Sequence, residues 1–147
     1  PDIFGKDTAY DRFSIIRQGQ VVMSKLNAWE GAIAVVNSEF DGTYVSPEYP
    51  SFDIDATNFD SVYVEHLLAW PSLWASLTPR GSMVRRKRTT PATLLATEVP
   101  MPSLAEQRNI AQKLSMARRS VEAAGEQTTQ VANLRSALLN SAFSGEI

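Results

Sequence analysis

The last third of the chain carries apolar and small residues at alternating steps of three and four, with one shortened step at Leu134. Ser103 and Glu106 form a capping box just before this stripe, and Pro102 is the last proline. The pattern predicts one coiled-coil-type helix over residues 103–147, about 40 residues or roughly 60 Å long. The stripe consists of Ile110, Leu114, Ala117, Val121, Ala124, Thr128, Val131, Leu134 and Leu138.

An isolated helix of this length cannot keep its apolar stripe in water, and Gly125 in its interior costs about 1 kcal/mol relative to alanine. The stripe therefore needs a partner. Two arrangements are open: the stripe is an interface with another helix, or the helix folds back on its own domain, with or without a break at Gly125 that gives a helical hairpin. We expect the first arrangement.

The first hundred residues alternate short apolar or β-branched runs with turn signals, a pattern that predicts strands. The predicted strands are residues 13–16, 21–23, 32–36, 43–45, 51–54 and 98–100. The first two are expected to form a strand-turn-strand unit, and the third to be fully buried. A helix should follow a cap at Asn58 or Asp60, and a shorter one should follow Thr90 and Pro91. The predicted fold class is α+β, with a small, mostly antiparallel sheet and short helices over residues 1–100, followed by the long helix.

The composition is that of an ordinary globular protein, with 44% hydrophobic and 20% charged residues and a net charge of −2. The sequence contains no cysteine, which excludes a disulfide framework and thiolate metal sites. No signal-peptide pattern or membrane-spanning apolar run occurs, so we expect a cytoplasmic protein without membrane contact. Because the sequence does not begin with Met, we expect it to be a piece of something longer.

Five cations lie within nine residues that contain no acid, although the chain as a whole is acidic. They are Arg80, Arg85, Arg86, Lys87 and Arg88. Arginine forks suit phosphates and guanine edges, so this run predicts a basic, DNA-facing patch. The alternative is a solvated edge with no binding role.

A second group of candidate contacts precedes Gly31 and consists of Lys25, Asn27 and Trp29. A lysine suits phosphate, an asparagine amide suits adenine, and an exposed tryptophan can pack on a sugar or base. For Trp29 the competing interpretation is packing in the core.

The sequence offers few candidates for catalytic residues. The single histidine, His66, lies in a predicted helix and is expected to be structural, which removes histidine-dependent triads and multi-histidine metal sites. Asp53 and Asp55, with Glu48 nearby, could resemble the acids of a metal-dependent nuclease, but no Glu-x-Lys follows at strand spacing. Gly-rich phosphate loops are absent. We therefore expect no catalytic residue, no metal and no cofactor.

Several motifs together resemble the specificity subunit of type I restriction-modification systems. They lie, in the family's order, in residues 25–34, 42–49, 81 with 85–88, 99–110 and 138–147, and include Ala-Glu-Gln-Arg and Phe-Ser-Gly-Glu. The resemblance spans nearly the whole chain. Its proline, Ala-Glu-Gln-Arg and Phe-Ser-Gly-Glu pieces are specific together.

The resemblance implies a target-recognition domain over residues 1–100 and a conserved-region helix over residues 103–147. The chain would then be a non-catalytic specificity module that binds one half of a bipartite target on double-stranded DNA. Its helix would pair with a second specificity half or a second copy of the chain, and methyltransferase and restriction subunits would dock around it. Two other classes stay open from the residues themselves: a helical assembly protein without a DNA role, and a small metal-dependent nuclease.

This sequence departs from the family in two ways. It has one unit of recognition domain and helix instead of two, and its start resembles the middle of a recognition domain. Earlier strands, with their base-contacting loops, are therefore expected to be missing. The target sequence depends on loop geometry and cannot be predicted.

Overall fold

The structure is a computed structural model that describes residues 10–78 and 88–144, with the side chains of residues 132, 133 and 135–144 left out of the description. The chain divides into two compact units, Pro1–Arg108 and Asn109–Ile147. Each unit is described by itself below.

The described residues of the first unit form five short strands and three short helices, and the long helix begins at the end of this unit. The strands are β1 (Ser14–Ile15), β2 (Val21–Met23), β3 (Ile33–Val35), β4 (Tyr44–Val45) and β5 (Ser51–Phe52). The helices are α1 (Ser61–Leu68), α2 (Pro71–Ser76), α3 (Pro91–Leu95) and α4 (Leu104–Ser144), and short 3₁₀ turns occupy Ala28–Glu30 and Ser38–Phe40. The predicted α+β class, with a small antiparallel sheet, short helices and one long helix, is confirmed.

The strands form two antiparallel sheets, one of order β3-β2-β5 and one of β1 with β4. The strands predicted over residues 13–16 and 21–23, with a turn between them, are present, and the two strands lie in different sheets. Ile16 bonds to Thr43 and Gly42, whereas Gly19 N–H donates to the carbonyl of Val36 at 2.9 Å. The turn after Ile16 thus directs the chain towards β3 instead of back along β1.

Hydrogen bonding in the three-stranded sheet continues beyond the assigned strand ends. On one side Ser24 N–H donates to the Ala32 carbonyl at 2.8 Å, which continues the β2–β3 register. On the other side Lys25 N–H donates to the Glu48 carbonyl at 2.9 Å, which continues the register of β2 with β5. Both flanks of the sheet therefore fix the start of the loop between β2 and β3.

The core lies between this sheet and helices α1 and α2. Its buried apolar members are Val21, Met23, Ala28, Ile33, Val64, Leu68, Leu73 and Leu77. Ala34 is exposed, so β3 is not buried throughout as predicted. An antiparallel strand with one face on the helices leaves its alternate residues in solvent.

Local capping explains where the short helices begin. The Asp60 side chain accepts hydrogen bonds from Val62 and Tyr63 N–H, and the Thr90 hydroxyl accepts one from Thr93 N–H. Pro71 starts α2 at a position where its missing N–H costs nothing. The brief strand predicted at residues 98–100 is absent, because these described residues pair with no other strand.

Helix α4 runs for 41 residues without interruption at Gly125, so the helical hairpin does not form. The predicted capping box is present at its start. Ser103 N–H donates to Glu106 Oε2 at 3.0 Å, and Glu106 N–H donates to Ser103 Oγ at 3.4 Å. No helix in the part of the chain that the structure describes is long and apolar enough to cross a membrane.

Candidate nucleic-acid interface

The connection between β2 and β3, residues 24–31, is a tightly bonded loop, called here the β2–β3 loop. The Ser24 carbonyl accepts from Ala28 N–H at 2.9 Å, and Ala32 N–H donates to the Asn27 carbonyl at 3.0 Å. The Trp29 indole N–H donates to the Leu26 carbonyl at 2.8 Å. These hydrogen bonds fix the backbone conformation of the loop. The Cα atoms that carry its outward-facing side chains therefore have fixed positions.

Gly31 closes the β2–β3 loop in a conformation that only glycine adopts easily. Its φ is +95°, and a Cβ there would lie 2.8 to 2.9 Å from three ring atoms of Trp74. The Trp74 ring is held in turn, because its indole N–H donates to the Leu68 carbonyl at 2.7 Å. The loop therefore rests directly on α2.

Two of the predicted DNA contacts, Lys25 and Asn27, lie on this loop with their polar groups available. Asn27 is exposed and occupies the N-cap position of the 3₁₀ turn, yet its side chain makes no cap hydrogen bond. Lys25 is half-buried. An amide and an ammonium two residues apart can serve adenine edges and phosphate oxygens, respectively.

Trp29, the third predicted contact on this loop, is half-buried and packs against the core cluster. Its indole N–H is directed at the loop's own backbone. The structure therefore favours the core-packing interpretation of this tryptophan, whose role at the loop is support.

Thr89 connects the β2–β3 loop to the chain that follows the basic run. Its N–H donates to the Lys25 carbonyl at 2.8 Å, and its hydroxyl donates to the Leu77 carbonyl at 3.0 Å. Thr89 is fully buried. These two bonds bring the chain just before the basic run, the chain just after it and the loop to one place.

Arg88, the residue before Thr89, is the one member of the basic run within the described residues. Its Nη1 donates to Glu48 Oε1 at 3.0 Å. Since the backbone of Glu48 is itself bonded to Lys25, the structure brings Arg88, Lys25 and Glu48 together. Arg80, Arg85, Arg86 and Lys87 lie outside the described residues.

The acids considered for a nuclease centre have other partners. Asp53 accepts from the Gln20 amide at 2.8 Å. Hydrogen bonds to Asp55 from the Thr57 and Asn58 side chains, and then from Thr57 N–H, lower the pKa of this carboxyl, as expected for a capping group. Across residues 10–78 and 88–144, no group of three acidic or histidine side chains is placed to hold a metal ion.

The predicted helix interface is solvent-exposed along the described part of α4. The exposed fraction rises from 38% at Ile110 and 45% at Leu114 to 72% at Val121, 68% at Val131 and 62% at Leu134. Ala117 and Ala124 are exposed as well, and the side chain of Leu138 lies outside the description. A row of exposed aliphatic side chains on one helix is unusual unless another surface covers it.

Three residues of the structure have roles that the sequence did not predict. Glu48 was considered only as a nuclease acid, and Thr89 was not considered. Gln107 is fully buried and lies inside the Ala-Glu-Gln-Arg motif. Its position in a motif was the only signal, because a glutamine in the first turn of a helix is normally exposed.

The fold is similar to that of solved HsdS specificity subunits of type I restriction-modification systems. The HsdS subunit from Thermoanaerobacter tengcongensis matches with a TM-score of 0.67 and 24% identity, over 83% of this chain and 32% of that chain. A chain from a structure of complex assembly and conformational transition in the type I R-M system matches with a TM-score of 0.73 and 20% identity, over 96% and 37%.

This chain thus spans about a third of the length of the solved chains it matches. No family model and no curated protein matches it. The resemblance inferred from the sequence motifs is confirmed at the level of the fold.

Proposed function

We propose that this chain is a non-catalytic DNA-specificity module of a type I restriction-modification enzyme, which binds one half of a bipartite target. The observation that carries the proposal is the fold, shared with a type I system chain over 96% of this chain at a TM-score of 0.73. That match includes both the α+β unit and the long helix. The β2–β3 loop supports a binding role, since the side chains of Lys25 and Asn27 offer donors and acceptors that are not bonded to any other described residue.

In this proposal residues 1–100 recognise DNA and the helix over residues 103–147 joins the module to other polypeptides. The exposed aliphatic stripe on α4 supports the second role. Its partners are a second copy or a second specificity half, together with methyltransferase and restriction subunits. We place the assembly in the cytoplasm, where its DNA is.

The experiment is fluorescence anisotropy of the full chain on double-stranded DNA across a salt series. Counterion release gives a slope of about −0.9 in log K against log salt for each neutralised phosphate. Replacing two phosphate-contacting cations, as in Arg85→Ala/Lys87→Ala, should reduce the magnitude of the slope by about two and weaken binding to all sequences. Lys25→Ala should reduce the magnitude of the slope by about one.

The matched control is Lys113→Ala/Arg119→Ala, which removes two exposed cations from α4. It changes the net charge equally, so it should leave the slope nearly unchanged if binding is local to the recognition unit. A wild-type chain that shows no salt-dependent binding would contradict the DNA role and favour a helical assembly protein. Equal effects of both double variants would point to non-specific attraction.

The non-catalytic part of the proposal has a separate test. Incubation with DNA, Mg²⁺ and a methyl donor should leave the DNA unchanged. Sequence-specific cleavage that persists after repurification and is lost in Asp53→Ala would show that the chain is a nuclease.

A further inference from the structure

The pair of Arg88 and Glu48 differs from an ordinary surface ion pair in how unequally its members are exposed. The side chain of Glu48 is 19% exposed and that of Arg88 is 47% exposed. Glu48 Oε2 is enclosed and has no hydrogen-bond donor among the described residues. A largely buried carboxylate needs a compensating cation, so the Arg88 guanidinium is held in place.

Glu48 is fixed through its backbone as well as through this contact. Its carbonyl accepts from Lys25 N–H, and its own N–H donates to Ser46 Oγ at 3.4 Å. Arg88 is fixed through the next residue, Thr89, whose bonds to Lys25 and Leu77 are buried. Both ends of the ion pair are therefore attached to the rigid base of the β2–β3 loop.

We propose that Arg88 is a base-reading residue of the interface and that Glu48 is the residue that positions it. The inference rests on the proposed function. The carboxylate occupies one N–H of the guanidinium and offsets its charge, which reduces attraction to phosphate. Because the Arg88 side chain is 47% exposed, its remaining N–H donors are open to a ligand. Two parallel guanidinium donors match the O6 and N7 acceptors of guanine, the commonest partner of arginine in the major groove.

This assignment separates two kinds of cation at one interface. A free lysine such as Lys25 is a point charge that serves any phosphate, so it contributes to affinity for all sequences. An arginine paired with a carboxylate contributes little net charge, and its main contribution is the orientation of its guanidinium donors. It therefore contributes to the preference at one base pair.

The experiment measures both the salt slope and the base preference of the full chain, the second by binding selection from a randomised double-stranded library. Arg88→Ala should reduce the preference for guanine at one position by roughly 5- to 150-fold. Arg88→Ala/Glu48→Gln removes both charges of the pair, so it should lose the same preference with the slope nearly unchanged. Arg88→Lys keeps the positive charge but removes the two parallel guanidinium donors, so it should lose the same preference. Lys25→Ala should show the opposite pattern. It should reduce the magnitude of the slope by about 0.9 and leave the base preference unchanged.

Glu48→Gln tests the positioning role, because it keeps the shape of the side chain and removes its charge. It should steepen the slope by about 0.9, since Arg88 becomes a free cation, and should weaken the preference at the same base pair. A merely structural contact would move neither quantity. Thermal unfolding of each variant establishes whether it is folded. If Glu48→Gln does not fold, Arg88→Ala and Arg88→Lys still test the inference.

Three outcomes would overturn the inference. Arg88→Ala/Glu48→Gln could reduce the magnitude of the slope as Lys25→Ala does, Arg88→Lys could retain the full base preference, or every position could keep its preference in Arg88→Ala. Each of these would show a phosphate clamp or a bystander while DNA binding itself persists. Absence of any salt-dependent binding by the wild-type chain would instead contradict the proposed function.

Discussion

Gln107 is a buried polar residue whose hydrogen bonds are all made within the first unit. Its Oε1 accepts from Asp60 N–H at 2.8 Å, and its Nε2 donates to the carbonyls of Asn58 and Pro102, each at 2.8 Å. This one side chain thus connects the first turn of α4 to the chain entering α1. Buried polar groups are tolerated when fully paired, and they are costly when one partner is removed.

Gln107→Leu should lower the free energy of unfolding by about 2–4 kcal/mol, because it removes three part-buried hydrogen bonds to the backbone of Asn58, Asp60 and Pro102. Urea unfolding measures the change. Gln112→Leu is the matched control on the same helix, where the glutamine is exposed, and it should change stability by less than about 0.5 kcal/mol. Equal effects of the two substitutions would show that the Gln107 bonds contribute nothing.

Gly31→Ala should be costly for two reasons, the positive φ and the contact with Trp74. Gly19 separates the two, because its φ is +85° but nothing lies within 4 Å of a Cβ placed there. Gly19→Ala should cost about 1–2 kcal/mol for the left-handed backbone alone. Gly31→Ala should cost about 1–3 kcal/mol more, since the held indole ring must move. Thermal or urea unfolding that gives equal losses would refute the steric contribution of Trp74.

At the scale of the residue, sequence predicted which side chains were chemically suitable and failed to predict their surroundings. Lys25 and Asn27 were identified because their functional groups match DNA. The pairing of Arg88 with Glu48 joins residues 40 positions apart. No local pattern encodes such a contact, because it depends on how the β2–β3 loop meets the chain at Thr89.

At the scale of the element, caps were the most reliable signals. Thr90 and Ser103 were identified, and Asp60 was one of two candidates with Asn58, because a cap is a contact between residues two or three positions apart. Strand pairing was predicted less well. The strands and the turn of residues 13–23 were predicted, but only tertiary pairing assigns β1 and β2 to different sheets.

The capping box makes the start of α4 sensitive to acid. The hydrogen bonds from the Ser103 hydroxyl and then from Ser103 N–H lower the pKa of the Glu106 carboxyl below its ordinary value. A carboxyl with a lowered folded-state pKa stabilises the fold above its unfolded-state pKa. That contribution is lost as the pH falls through the folded-state value.

Ser103→Ala should therefore raise the pKa of Glu106 towards its ordinary value, measured by NMR titration of the side-chain carboxyl. Ser120→Ala is the control, because its hydroxyl donates to the Met116 carbonyl and contacts no acid. Ser120→Ala should leave the pKa of Glu106 unchanged. An unchanged Glu106 pKa in Ser103→Ala would mean that the box does not persist in solution.

At the scale of the whole molecule, the exposed stripe on α4 predicts self-association. The closed solution for one such stripe is a two-fold dimer with paired helices. Light scattering at micromolar concentration should give twice the monomer mass. Val131→Asp should shift it to monomer, because it places a charge in the apolar interface.

Thr129→Asp is the matched control, two residues away on a different face of the same helix. It adds the same charge and should leave the mass unchanged. A wild-type chain that is strictly monomeric, with a size unaffected by Val131→Asp, would exclude the stripe as a self-association interface.

The buried bonds of Thr89 give this protein an internal reporter for amide hydrogen exchange. Because its N–H is fully enclosed and donates to Lys25, deuterium enters only when the β2–β3 loop separates from the chain at Thr89. Bound DNA that contacts both sides of this junction would oppose that opening and slow exchange at this amide. The proton on an amide nitrogen 2.8 Å from the Lys25 carbonyl oxygen thus records, in its exchange lifetime, whether the loop and the end of the basic run act as one surface.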